Sequence, residues 1–168
     1  EQALMLCADH ELNASTLAAR VAASTGANLY AIVSAALCVL SGPRHGGACA
    51  QVEALVEEAA RYATPYEALA QRLRRGEAIP GFGHPLYPQG DPRARELLQG
   101  RPSMQPWIEA GQSLLGAYPS LDFALVALGL PRGGGFACFA TGRCLGWVAH
   151  ALEQSRDPRM IRPRATLP

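Results

Sequence analysis

Apolar side chains recur along most of this chain at spacings of three or four residues, which is the period of an amphipathic helix. The clearest case is segment 49–62, where Val52, Leu55, Val56 and Ala59 share one side and glutamates occupy the other. Strand-like alternation is scarce. The pattern therefore predicts an all-α fold with an extended tail over 157–168, and with helices over residues 15–24, 27–40, 49–62, 65–75, 92–98, 106–116, 124–130 and 138–154.

Capping residues mark where two of these helices begin. Thr64 precedes Pro65, and Glu67 lies three residues after Thr64, which is the arrangement of a capping box with proline at the first helical position. Asp91 followed by Pro92 predicts a second helix start of the same kind.

Composition narrows the class of protein. The chain has 168 residues, of which 49% are apolar, enough for one domain or two small lobes with a filled core. A net charge of +1 gives no sign of a nucleic-acid partner or a membrane surface, and the apolar run 31–40 is too short to span a bilayer. All 15 basic residues are Arg, whose planar fork suits carboxylates and phosphates, although genomic codon bias also explains the missing Lys.

The cysteines form no paired spacing, so we expect reduced thiols in a cytoplasmic protein. Cys7 and His10 are three residues apart, but no second pair completes a metal site, and no metal is expected. The five cysteines are Cys7, Cys38, Cys49, Cys138 and Cys144.

Two polar clusters flank the first apolar helices. In "ADHELNAST" (8–16), His10 precedes a helix, and the bland interpretation is a helix start capped by Asn13 or Ser15. In "GPRHGGA" (42–48), glycines follow His45 and permit close approach of a ligand. A helix N-terminus beside this imidazole would favour its neutral form, although an ordinary turn with an incidental histidine is the alternative.

A third cluster, "GFGHPLYPQGDPRA" (81–94), concentrates glycines and prolines around His84 and Arg93. Arg93 would lie beside the positive end of a helix, which suits a carboxylate ligand, whereas a proline-rich connector is the alternative. A fourth cluster is distributed. Arg143 lies in an apolar helix and needs a counter-charge, either Asp122 or a bound anion, and His150 on the same helix is expected to be a core or rim histidine.

Taken together, six segments resemble the citrate synthase family, in the family's order and over nearly the whole chain: "ADHELNAST", "GPRHGGA", "GFGHPLYPQGDPRA", "LDF", "GRCLGWVAHALEQ" and "RPR". The resemblance implies an all-α homodimer in which a smaller helical domain closes over the substrate beside a large one. It implies condensation of oxaloacetate with acetyl-CoA, or with propionyl-CoA to give 2-methylcitrate. Acetyl-CoA would then be a co-substrate, with no permanently bound cofactor.

The resemblance also assigns catalytic roles. Asp122 matches the general base that removes a methyl proton, His45 the histidine that binds the thioester oxygen, and His84 the one that polarises the ketone. Neutral imidazoles would stabilise the developing enol without adding positive charge beside the base.

Four further positions match substrate ligands. His10, Arg93 and Arg143 match oxaloacetate ligands, and Arg162 matches an arginine that reaches the partner subunit's site. Only the carboxy-terminal part of a family member is matched, as a segment or a reduced relative. Residues 1–46 are expected in the large domain, 47–134 in the small domain, and 135–168 in the large-domain return and tail.

Some positions depart from the family pattern. Pro85 and Pro88 stand where basic residues usually help bind coenzyme A phosphates, Cys49 stands where Asn is usual, and the segment after Asp122 is about one helical turn short. The two prolines leave one alternative to an enzyme, a non-catalytic organic-acid-binding module that has lost coenzyme A. The N-terminal helices of the family, which have no counterpart here, leave another, a structural subunit that completes a partner's site.

Overall fold

The computed structural model describes residues 1–164. Within them the chain forms nine α-helices, one 3₁₀ turn (Pro102–Met104) and no β-strand, so the all-α prediction is confirmed. The helices are α1 (Gln2–Cys7), α2 (Ala14–Ser24), α3 (Leu29–Leu40), α4 (Ala48–Ala59), α5 (Pro65–Arg74), α6 (Pro92–Leu98), α7 (Gln105–Leu115), α8 (Leu121–Val126) and α9 (Gly134–Gln154).

Two apolar cores hold these helices together. The first surrounds α9, against which α1, α2 and α3 pack, and its largest member, Trp147, is fully buried. The second lies between α4, α5 and α7 and includes Leu55, Leu69 and Trp107. Helix α8 joins the two, because Leu125 belongs to the first core and Phe123 to the second.

The predicted caps are present. The side chain of Thr64 accepts a hydrogen bond from the backbone N–H of Glu67 at 3.2 Å, and the Glu67 carboxylate accepts from the N–H of Ala63 at 3.2 Å. The Asp91 carboxylate accepts from the backbone N–H of Arg93 at 2.9 Å and starts α6. Asn13, rather than Ser15, caps α2.

The structure differs most from the sequence-based prediction in three helices. Helix α1 was not predicted, because six residues are too few for a periodic signal; its burial against α9 stabilises it. Helix α8 begins three residues earlier than predicted and ends before Gly129, whose φ of 74° is left-handed. Helix α9 begins four residues earlier, because Gly133 (φ 79°) makes the entering turn and the two following glycines are helical.

The tail after α9 has no regular structure through residue 164, and the backbone N–H of Ile161 donates to Ser24 Oγ at 3.0 Å. Positions 165–168 of the predicted extended tail lie outside the described residues. In the part of the chain that the structure covers, no helix combines the length and apolar character needed to cross a bilayer. The domain boundaries at 46 and 134 stay a prediction.

Candidate active site

Six of the seven predicted site residues line a single cavity of about 420 Å³. The cavity is bounded by the start of α2, the turn before α4, the loop 81–88, the start of α8 and the middle of α9. The six are His10, His45, His84, Arg93, Asp122 and Arg143. The seventh, Arg162, is exposed in the tail and does not line this cavity.

Arg143 is the buried cation of the cavity, with 1% of its surface exposed. Its Nε donates to the backbone oxygen of Cys7 at 2.6 Å, and its guanidinium carbon lies 5.0 Å from the centre of the Phe139 ring. Both terminal nitrogens, Nη1 and Nη2, are buried without a hydrogen-bond partner. No carboxylate among residues 1–164 pairs with it, so the proposed ion pair with Asp122 was wrong.

Burial and one like charge both act against the charged form of this guanidinium. Burial lowers the pKa of Arg143, and the positive charge of Arg93 lowers it further. A buried charge of this kind costs several kcal/mol unless a counter-ion offsets it. The arrangement therefore favours an anionic ligand in the cavity.

Arg93 is already held by its neighbour Asp91, which is 1% exposed. The guanidinium donates from Nε to Oδ1 at 3.0 Å and from Nη2 to Oδ2 at 2.6 Å. Burial opposes ionisation of Asp91, but these bonds lower the pKa of its carboxyl overall. The pair fixes the guanidinium at the first turn of α6, on the wall of the cavity.

His10, His84 and Tyr87 form a cluster of three neighbouring rings, in which the two imidazoles meet edge to face. Nε2 of His10 lies 2.9 Å from the Tyr87 hydroxyl, and the two imidazole centres are 5.6 Å apart. Nδ1 of His84 accepts the backbone N–H of Leu86 at 3.2 Å, so in the neutral ring Nε2 carries the proton. Burial and Arg93 lower the pKa of both histidines. The contact of Tyr87 with His10 was not predicted from the sequence, in which only the position of Tyr87 in segment 81–94 pointed to the site.

His45 is tied to the start of α2. Its Nε2 lies 2.9 Å from Ser15 Oγ, which accepts the indole N–H of Trp147 at 3.2 Å and donates its own proton to Asn13 Oδ1 at 2.8 Å. Burial lowers the pKa of His45 to about 4, with a further contribution from Arg143. His45 is therefore neutral at physiological pH, as its place before a helix predicted.

Asp122 occupies the first turn of α8 and forms no ion pair with the described residues. Its Oδ1 accepts a hydrogen bond from the thiol of Cys49 at 3.5 Å, and Cys49 is fully buried. Burial raises the pKa of Asp122 to about 6, so it remains mostly ionised at pH 7. The cavity thus holds a basic carboxylate, neutral imidazoles and an unpaired guanidinium.

Residues 1–164, which carry this cavity, match the family model "Citrate synthase, C-terminal domain". The chain belongs to the citrate synthase family. The citrate synthase of Haloferax volcanii is 38% identical over 183 aligned residues, which cover 98% of this chain and 48% of that protein. The citrate/2-methylcitrate synthase of Bacillus subtilis is 36% identical, and the alignment covers 99% of this chain and 50% of that protein.

Solved structures of citrate synthases share the fold. The ternary complex of carboxymethyl coenzyme A and oxaloacetate with the citrate synthase of Thermoplasma acidophilum is 33% identical, with a TM-score of 0.73 over 97% of this chain and 49% of that one. This citrate synthase family chain therefore spans about half the length of the curated relatives it matches.

His150 does not belong to the cavity. His150 bonds Asp9 at 3.2 Å and Arg20 at 3.1 Å in a rim network outside the cavity lining. Among residues 1–164, no group of three or more His, Cys, Asp or Glu side chains is arranged to hold a metal ion.

Proposed function

We propose that this citrate synthase family chain binds oxaloacetate and an acyl-CoA, acetyl-CoA or propionyl-CoA, and condenses them to citrate or 2-methylcitrate. The observation that carries the proposal is the buried Arg143 guanidinium: its two terminal nitrogens have no hydrogen-bond partner, and the residue lines a cavity that Asp122 also lines. A cation in this state recruits an anionic substrate, and a carboxylate without an ion pair serves as a base.

Oxaloacetate would use the basic side of the cavity. Nη1 and Nη2 of Arg143 suit one substrate carboxylate in the bidentate geometry that guanidinium groups favour. The guanidinium of Arg93 and the imidazole of His10 would serve the rest of the dianion. The proton on Nε2 of His84 would polarise the ketone.

The carbon beside the thioester, a methyl in acetyl-CoA and a methylene in propionyl-CoA, would face Asp122. The carboxylate removes one proton from this carbon, and the electron pair moves onto the thioester oxygen as the enol forms. If the Ser15 hydroxyl turned its one proton from Asn13 Oδ1 to Nε2 of His45, the ring proton would lie on Nδ1, which would donate a hydrogen bond to that oxygen. The enol carbon then bonds to the ketone carbon of oxaloacetate, while the electron pair of the ketone C=O moves onto its oxygen, which takes up the proton from Nε2 of His84. Water then adds to the thioester carbon, and coenzyme A leaves as its thiol.

Coenzyme A binding is supported by the Thermoplasma acidophilum complex, which contains carboxymethyl coenzyme A. Pro85 and Pro88 provide no cation for its phosphates, and this observation favours a second candidate, an organic-acid-binding module without catalysis. The proposal also includes a homodimer with Arg162 reaching the partner's site, and a small domain that closes over the substrate. It further includes a cytoplasmic location and no permanently bound cofactor.

The test follows release of free thiol from acetyl-CoA in the presence of oxaloacetate, beside calorimetric binding of oxaloacetate alone. We expect thiol release from the parent chain and none from Asp122→Asn, which should bind oxaloacetate nearly as well. The control Asp157→Asn, in the tail, should behave as the parent. Oxaloacetate binding without thiol release would instead support the organic-acid module, and loss of oxaloacetate binding in Asp122→Asn would contradict the role of the base.

A further inference from the structure

We propose that Cys49 is a positioning residue for the general base, whose thiol holds Oδ1 of Asp122 so that Oδ2 is left for the substrate proton. The proposal rests on the proposed function, because the role of Asp122 as base belongs to it. Within residues 1–164 the Cys49 thiol is the only side chain that donates a hydrogen bond to Asp122, and the backbone N–H of Asp122 itself is the other donor to this carboxyl.

The fold gives this contact little freedom. Cys49 is the second residue of α4 and Asp122 the second residue of α8, and the two helices pack against each other. The turn before α4 is tight: the N–H of Gly47 donates to the backbone oxygen of Leu40 at 3.1 Å. His45 lies on the same turn. One short segment therefore orients both the imidazole for the thioester and the group that holds the base.

The thiol is a suitable donor because it keeps its proton. Burial and the negative charge of Asp122 both raise the pKa of Cys49 well above the ordinary value of a thiol. An S–H group is also a weak donor. It therefore orients the carboxylate with less stabilisation of the negative charge than an amide or a hydroxyl would provide, and Asp122 keeps more of its basicity.

A purely structural role for Cys49, as a small apolar core residue, makes a different prediction. Cys49→Ala removes the donor and some volume, whereas Cys49→Ser keeps a donor at nearly the same size. Stability alone does not separate the two roles, since any change at a fully buried position alters packing. The pKa of Asp122 does separate them, because losing the hydrogen bond raises it, whereas looser packing that admits water lowers it.

The experiment is a ¹³C NMR titration of the Asp122 carboxyl carbon, assigned by its loss in Asp122→Asn. We expect Cys49→Ala to raise the apparent pKa of Asp122 by about half a unit to one unit, since a hydrogen bond of about 0.5–1.5 kcal/mol to the charged form is lost. Cys49→Ser should hold it at or below the parent value, and Cys38→Ala, at an exposed cysteine, should leave it unchanged. The other charges acting on Asp122, Arg93 and Asp91, are the same in each variant.

Equal pKa values for Asp122 in the parent, Cys49→Ala and Cys49→Ser would overturn the proposal. The titration needs no turnover, so it measures the effect of Cys49 on the pKa of Asp122 even if the chain does not condense its substrates. A failure of this proposal is therefore distinguishable from a failure of the proposed function. Where condensation is present, the base must be ionised, so the acid limb of kcat/KM should move to higher pH in Cys49→Ala. The same limb in Cys49→Ser should stay at or below its parent position, and an unmoved limb in Cys49→Ala would also contradict the role.

Discussion

Gly142 lets α9 approach α1 closely enough to place Arg143, and replacing it with alanine should disturb both stability and the site. A Cβ atom added at Gly142 would lie 2.6 Å from the backbone oxygen of Leu4 and 2.9 Å from Cβ of Cys7. The first distance is about 0.8 Å short of the 3.4 Å at which ordinary contact begins. Neither atom is the end of a flexible side chain, so α1 itself must move.

The size of the effect follows from two opposing contributions. Overpacking of this kind costs about 1–3 kcal/mol, while the exchange of glycine for alanine in a helix gains up to about 1 kcal/mol. Gly135→Ala in the same helix is the matched control, because its added Cβ would meet its nearest neighbours at 3.4–3.5 Å, in ordinary contact. The propensity gain is common to both variants, so their difference in free energy of unfolding should be about 1–3 kcal/mol.

Urea unfolding of the two variants and the parent measures this difference. Because α1 also carries the Cys7 oxygen that accepts from Nε of Arg143, Gly142→Ala should in addition weaken oxaloacetate binding, whereas Gly135→Ala should not. Equal stability and equal oxaloacetate affinity in the two variants would refute the argument that the close helix contact places the guanidinium.

Two further predictions concern charges at the site. The pKa of His45 is lowered to about 4 in the folded chain, so between pH 6.5 and 4 the unfolded chain binds more protons at this residue, and the free energy of unfolding falls as the pH falls. The pKa of Asp122 is raised to about 6, so at Asp122 the folded chain binds more protons, and this residue opposes the fall. Asp122→Asn should therefore steepen the loss of stability between pH 6.5 and 4 in urea unfolding, and a flatter profile than the parent's would contradict this. Asp91→Ala should cost about 3–5 kcal/mol, because it strands the Arg93 guanidinium in a mostly buried pair, whereas Asp157→Ala, which breaks the same kind of pair in the exposed tail, should cost much less. Similar losses in thermal unfolding of these two variants would show that burial does not set the difference.

Local patterns were enough to predict the helical class and several caps. The Thr64–Glu67 capping box and the Asp91 cap depend on residues within three positions of each other, where backbone geometry dictates the contact. Of the seven site residues named from the family resemblance, six line one cavity, and Arg162 lies in the tail.

Contacts between distant segments were beyond such patterns. Cys49 and Asp122 are 73 residues apart, and Trp147 and Ser15 are 132 apart, so each contact depends on how whole helices pack. The acceptor for Arg143 was missed for the same reason, because it belongs to α1, a helix that forms only against its neighbours. Periodicity reports which face of a helix is apolar and not which carbonyl it will meet.

The central claim, that an unpaired buried guanidinium makes this cavity a dicarboxylate site, is tested most directly by calorimetric titration of the chain and of Arg143→Met with oxaloacetate. We expect one binding site per chain, and a loss of affinity of about 30-fold or more in Arg143→Met, corresponding to about 2–5 kcal/mol for a buried charged contact. Equal affinity in the two proteins, or no binding by the parent chain, would contradict the account.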